Sequence, residues 1–186
     1  MRKKNTNSLL TTNHLQPTAN ILGFTLLELL VVIAVIGTLA TVLIVAINPI
    51  EIGRRSRDSK RLSDMGTLKS AIDLALSDGQ NLTDTTDWVN LTVATPVSDL
   101  DGSGLDISKY LSVVSQNPGG NTQYVKDDCT STAAVASDMA YQYKSDGDAY
   151  VIRARLESTS NCDRIKYDGN AANGYYHLGT DPGLDL

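Results

Sequence analysis

The sequence predicts an α+β fold: a long N-terminal helix, apolar in its first half and amphipathic in its second, packed on a small antiparallel β-sheet head. Three observations predict it. Residues Leu26–Ile47 form an unbroken apolar run in which Glu28 is the one ionisable side chain between Phe24 and Ile47. Leu62, Met65, Leu68, Ile72 and Leu76 recur at spacings of three and four, a stripe along one helix face. Ala140–Lys144 and Ala149–Leu156 flank Ser145-Asp146-Gly147-Asp148, aromatic and β-branched segments about an Asp-Gly turn, which is a hairpin pattern.

Taken in order, residues 1–23 read as a leader. They are basic at Arg2, Lys3 and Lys4, polar through Thr11–Gln16 and interrupted by Pro17. A secretory signal places a short apolar core before its cleavage site, whereas here the apolar run is longer and follows the leader. Residues 24–48 are long enough to span a hydrocarbon core of ~30 Å, which needs about 20 helical residues. A carboxylate in such a segment costs on the order of 2.5–3.5 kcal/mol at its centre and less near an end. Glu28 must therefore reach headgroup water or meet a partner charge. Ala34, Gly37, Thr38, Ala40 and Thr41 are small enough to let sister helices approach closely in lipid.

Asn48-Pro49 ends the run, and Pro49 predicts a kink or local unwinding over 45–49. The helical pattern resumes over 49–79 and stops at Asp78-Gly79. Helix over 24–77 would measure roughly 80 Å at about 1.5 Å per residue. Arg54, Arg55, Arg57, Lys60 and Arg61 cluster on this part, facing anionic lipid, acidic neighbours or, with Asp58 and Asp64, solvent.

Residues 80–186 are the expected globular head. Residues 80–108 show little regular pattern, apart from one short strand within Trp88–Val93. Asp99-Leu100-Asp101-Gly102-Ser103-Gly104 begins like a calcium loop, but its twelfth position is Tyr110 and not the bidentate Glu such a loop needs, so an Asp/Gly turn is the better reading. In the hairpin, Tyr150, Ile152, Ala154 and Leu156 are expected to face the helix and Val151, Arg153 and Arg155 to face out. The tail from Asn161 is turn-rich. Cys129 and Cys162 would pair in an oxidising compartment or remain as two buried thiols.

Composition excludes several functions. Residues 70–186 carry seven basic and seventeen acidic side chains, which argues against generic phosphate binding but not against one local basic patch. His177 is the one histidine after the leader, which holds His14. There is no His/Cys spacing for zinc, no Ser-His-Asp arrangement and no phosphate loop. We therefore expect no enzyme activity and no cofactor. Asn81-Leu82-Thr83 and Asn90-Leu91-Thr92 match a glycosylation sequon and read as surface sequence.

Gly23-Phe24-Thr25-Leu26-Leu27-Glu28, followed by the apolar run, resembles the cleavage and methylation motif of type IV pilins and type II secretion pseudopilins. The resemblance implies cleavage between Gly23 and Phe24 by a prepilin peptidase, N-methylation of Phe24, and pairing of Glu28 with a neighbouring subunit's terminal amino group during assembly. It implies related pilin subunits, the peptidase/methyltransferase and inner-membrane assembly machinery as partners. The precursor would cross the cytoplasmic membrane once with its head outside, then enter an extracellular or periplasmic filament. The basic cluster after the span would favour the opposite orientation by the positive-inside rule; the resemblance decides for an external head, because the peptidase must meet Gly23. It also favours a Cys129–Cys162 bridge, a kink at Pro49, and a pseudopilin of a secretion or DNA-uptake machine as the nearest alternative. Asp163, Asp168, Asp181 and Asp185 lie where some major pseudopilins hold calcium. Outside this family, the alternative is a single-span anchored binding domain or enzyme.

Overall fold

The computed structural model describes residues 23–92, 94–102, 104–119, 123–169 and 174–181. The chain divides into two compact units, one ending at Ala46 and the other beginning at Ile47.

The first unit contains α1, Leu26–Ile47. Thr38 and Thr41 return their hydroxyls to the carbonyls of Val35 and Gly37, at 2.8 and 2.9 Å, so neither leaves a bare donor on an apolar surface.

The second unit opens with α2, Pro49–Ser77. The single helix expected over 24–77 is therefore two, interrupted at Asn48 within the 45–49 stretch expected to kink or unwind, and Pro49 begins the second. The reason is local. Asn48 adopts left-handed backbone angles (φ 46°, ψ 76°) and accepts a bond from Glu51 N at 3.3 Å, so it caps α2. Proline is well suited to the first helical turn, where its missing N–H has no intrahelical partner to lose. At the other end Gly79, at φ 92°, lets the amides of Gly79 and Gln80 turn back to Leu76 and Ala75.

Four antiparallel strands form the main sheet in the order β1-β4-β5-β6: β1 is Val89–Leu91, β4 Tyr141–Ser145, β5 Tyr150–Ala154 and β6 Tyr176–Gly179. The β4–β5 pair is the expected hairpin, with Tyr143 opposite Ile152. A separate ribbon joins β2, Gln123–Val125, to β3, Ser131–Ala133. A short helix α3, Cys162–Lys166, precedes β6.

Met65, Leu68 and Ile72 of the predicted stripe are buried with Ala71 and Ala75, while Leu62 and Leu76 are half-buried. Against them the sheet presents Tyr141, Tyr143, Tyr150, Ile152 and Ala154. Tyrosine hydroxyls tie sheet to helix, Tyr141 donating to Asp64 at 3.0 Å and Tyr150 to Asp73 at 2.6 Å. Burial first, and the neighbouring carboxylates second, push both phenols well above their usual range. The patternless loop after β1 supplies Leu100, Leu105 and Ile107 to the same core. Val151, expected outward, is fully buried, so the sheet is covered on that face as well. Val93 lies outside the described residues.

A smaller cluster of Val125, Leu156, Cys162 and Ile165 sits beneath the bond that joins Cys129 to Cys162, whose Cα atoms are 5.4 Å apart. The bridge spans 33 residues of chain. Replacing both cysteines with serine is expected to lower the head's stability by about 2–4 kcal/mol, read as an earlier urea midpoint than that of the oxidised protein. An unchanged midpoint would show that the ribbon and α3 hold without it.

Candidate assembly site

Gly23 and Phe24 lie just before α1, and Glu28 lies in its first turn. Phe24 is 80% exposed, and a Cβ on Gly23 would meet nothing within 4 Å. The chain's own packing thus requires neither a glycine nor an aromatic here. Thr25 and Glu28 form a reciprocal capping box. Glu28 Oε2 accepts from Thr25 N (3.2 Å) and Thr25 Oγ1 (3.1 Å), while Glu28 N donates to Thr25 Oγ1 (3.1 Å). The carboxylate also sits where the N-terminal end of the helix dipole favours negative charge.

Beyond this turn, Leu26–Ile44 is long and apolar enough to cross a membrane, and none of it is buried within the protein. Large aliphatic side chains emerge on every side, including Leu30, Ile33, Ile36, Leu39 and Leu43. A helix apolar all round has no stable place in water and must be covered by lipid or by other helices.

Residues 19–44 match the prokaryotic N-terminal methylation motif. The chain carries a prepilin signal. This is the signal of type IV pilin and pseudopilin precursors, whose motif family consists of structural filament subunits and not enzymes. Such a motif implies processing by prepilin peptidase and assembly into pilus-type filaments. Comparison with curated proteins and with solved structures gave no match. The prepilin match ends two residues before Ala46, so the head is described by its own structure alone.

The other expected site residues lie in the second unit. Pro49 opens α2, and Cys129 and Cys162 are bonded in the head. Asp99 accepts from Gly104 N (2.7 Å) and Asp101 from Leu105 N (3.1 Å), the side-chain bonds to backbone amides of an Asp/Gly turn; Ser103 lies outside the described residues. Asp168 accepts from both the backbone and ring nitrogens of buried His177, at 2.6 and 2.9 Å. Asp185 lies outside the described residues. Among the described residues, no group of His, Cys, Asp and Glu is arranged to hold a metal ion.

The arginines of α2 do not act as one cluster. Arg54 and Arg55 lie within ion-pair distance of Glu51, at 3.6 and 3.7 Å. Arg57 and Arg61 turn inward to Glu157, just past β5. Arg57 binds it through Nε (3.0 Å) and Nη2 (2.6 Å), and Arg61 through Nη2 (2.5 Å). Arg61 also donates to Asp58 (2.7 Å) and Asn117 (2.7 Å). Asp58 in turn accepts from the amides of Glu157 and Ser158 and from Asn161 Nδ2. Asp58, Arg61 and Glu157 are wholly buried. The sequence held a signal for this node: Asp58 and Arg61 continue the Met65–Leu68–Ile72 stripe backward at the same three-and-four spacing.

Proposed function

We propose that this chain is a prepilin that is cut after Gly23, methylated on Phe24 and polymerised into a type IV pilus-like filament. The observation that carries the reading is the junction of the methylation motif with an apolar helix that the protein leaves uncovered. Lipid would cover α1 in the precursor, and sister helices would replace lipid in the filament. The head would stay in water, anchored through α2. Cleavage would free the amino group of Phe24 one turn from Glu28. Glu28 would then exchange its bonds to Thr25 for a neighbour's terminal ammonium, a charged donor that gives the stronger hydrogen bond. That exchange would satisfy the carboxylate in an apolar filament core and set the axial register of each new subunit.

Intact mass and N-terminal peptide analysis of the membrane-extracted protein test the processing. The expected terminus is Phe24 carrying one extra methyl; an uncut chain, or a cut beyond the apolar run, would sink the reading. Glu28 is tested by two variants. Glu28→Gln keeps an acceptor for the capping box but loses the charge, whereas Glu28→Ala loses both. If charge pairing drives assembly, both variants are exported and processed but form no filament. If Glu28→Gln assembles like the parent, the residue serves only to start the helix.

A further inference from the structure

The outer face of the main sheet carries a stack of alternating cations and rings that the assembly motif does not explain. The Arg153 guanidinium lies 3.5 Å from the centroid of Trp88 and 4.2 Å from that of Tyr175. Arg155 lies 4.3 Å from the same Tyr175 ring and 3.6 Å from Tyr124. Arg153 Nε also donates to Gln142 at 2.7 Å, and Gln142 to Asn90 at 2.7 Å, so three strands position it. Among the described residues no carboxylate lies within ion-pair distance of either arginine, although the head is strongly acidic. Arg155 Nε is buried without an acceptor. The guanidinium faces are occupied by rings, Arg155 also interacts with the Tyr124 and Tyr175 hydroxyls and Arg153 Nε is given to Gln142, so what remains for recognition is the other N–H groups, which suit carboxylates.

The matching group lies at the other end of β5. Asp84 and Asp146 are joined by a backbone bridge, and Thr85 N bonds to Ser145 O, which draws the 84–87 turn onto the β4–β5 turn. Asp84, Asp87, Asp146 and Asp148 are all exposed there, with Lys144 the adjoining base. Asp146 is spent on the amides of Asp148 and Ala149, and Asp84 on that of Thr86. The side-chain carboxylates of Asp87 and Asp148 accept no hydrogen bond and join no ion pair among the described residues. From Tyr150 to Arg155 the chain covers about 17 Å at ~3.3 Å per residue, so the Arg155 end of the stack lies away from the tip, while Trp88, next to Asp87, marks its near end.

We propose that the arginine stack of one subunit receives the aspartate tip of a second copy of this chain. Opposite patches at two ends of one sheet make a heterologous contact, which propagates in an open filament. The inference rests on the filament reading and adds to it a contact between heads.

The test uses the full chain, expressed with its assembly machinery, and measures sheared polymer against the processed membrane pool. Asp87→Lys/Asp148→Lys changes exposed side chains only. It is expected to reduce polymer about ten-fold or more through like-charge contact with the arginines. Arg153→Glu/Arg155→Glu is expected to do the same. Co-expression of the two double variants, or their combination in one chain, should restore polymer, because each then offers the other an opposite charge. Normal polymer from the aspartate variant would overturn the proposal. So would a defect confined to the arginine variant, which would assign the stack to an anionic partner of another kind, or loss in both without rescue. Unmodified chain that is processed to Phe24 yet yields no polymer would bring down the filament reading itself, whereas polymer from all variants brings down this contact alone.

Discussion

Glu157→Ala is expected to destabilise the head by about 3–5 kcal/mol, the cost of leaving a buried charge without its partner. In the intact node Arg57 and Arg61 face Asp58 and Glu157, two cations against two anions. Removing Glu157 takes one carboxylate from the fully buried Arg61, which keeps Asp58, Asn117 and the Pro118 carbonyl, and leaves half-buried Arg57 with no carboxylate at bonding distance among the described residues. Arg61→Met has the mirror effect: buried Asp58 loses its ion-pair partner and keeps only neutral N–H donors among the described residues, while Glu157 is left to Arg57. Replacing Arg61 and Glu157 together by apolar residues should cost less than the two single changes added, since the double change removes both ends of the Arg61–Glu157 pair and leaves neither facing a missing partner. Urea unfolding of the detergent-solubilised chain measures this, with an expected midpoint shift of about 2 M for the single variants. Shifts that simply add would show that Arg61 and Glu157 act independently.

The same node sets a pH dependence. Burial alone would raise the Glu157 carboxyl, but the bonds from Arg57 and Arg61 outweigh it and hold its pKa below the ordinary value of 4.5. A depressed folded value stabilises the protein above the unfolded value, and that stability is lost as pH falls through the folded value. Stability should therefore be flat with respect to Glu157 at neutral pH and decline once pH drops below 4.5. Glu157→Gln removes that part of the decline.

What was legible in the sequence was what is periodic or contiguous. The stripe of α2 and the β4–β5 hairpin follow from spacing alone, because each repeats its pattern over several residues. The methylation motif is legible for the same reason, with all its parts inside a few turns. An interruption over 45–49 was legible from Pro49, but its form was not, because Asn-Pro is compatible both with a kinked helix and with a cap followed by a first turn. Only the left-handed Asn48 decides between them. Leu100, Leu105, Ile107 and Val114 enter the core at irregular intervals, so no period announces them. Strand β6 is four residues long and ends in glycine, too short to stand out in a turn-rich tail. The ion node was misread on principle: arginine and aspartate on a helix usually face water. Their burial depends on Glu157, which the chain returns to α2 about a hundred residues later. Thr25-Leu26-Leu27-Glu28 is the opposite case, a capping-box pattern plain in the sequence but eclipsed by the search for a distant partner charge.

Gly179→Ala is expected to cost about 3–5 kcal/mol, combining backbone overpacking with the loss of strand hydrogen bonds. Gly179 sits opposite Val151 at the end of β6. A Cβ there would lie 2.1 Å from Tyr150 O and 2.9 Å from Val151 Cα, and both are backbone atoms that cannot rotate aside. To admit the methyl, β6 must draw back from β5. That breaks the bond from Thr180 N to Tyr150 O (2.9 Å) and the bond from Tyr150 N to Thr180 Oγ1 (3.1 Å). Tyr150 is a fully buried ring whose hydroxyl reaches Asp73 of α2, so the disturbance passes from an edge strand into the core. Gly174→Ala supplies the comparison. Gly174 has φ 76°, which an alanine adopts at a cost of about 1–2 kcal/mol, but its nearest contact would be an ordinary 3.7 Å. If close backbone approach is what demands glycine, Gly179→Ala will be the more damaging of the two, and amide exchange will accelerate at Tyr150 and Thr180. The reverse order would mean that β6 yields easily, and that its pairing with β5 contributes little to holding Tyr150 against the helix.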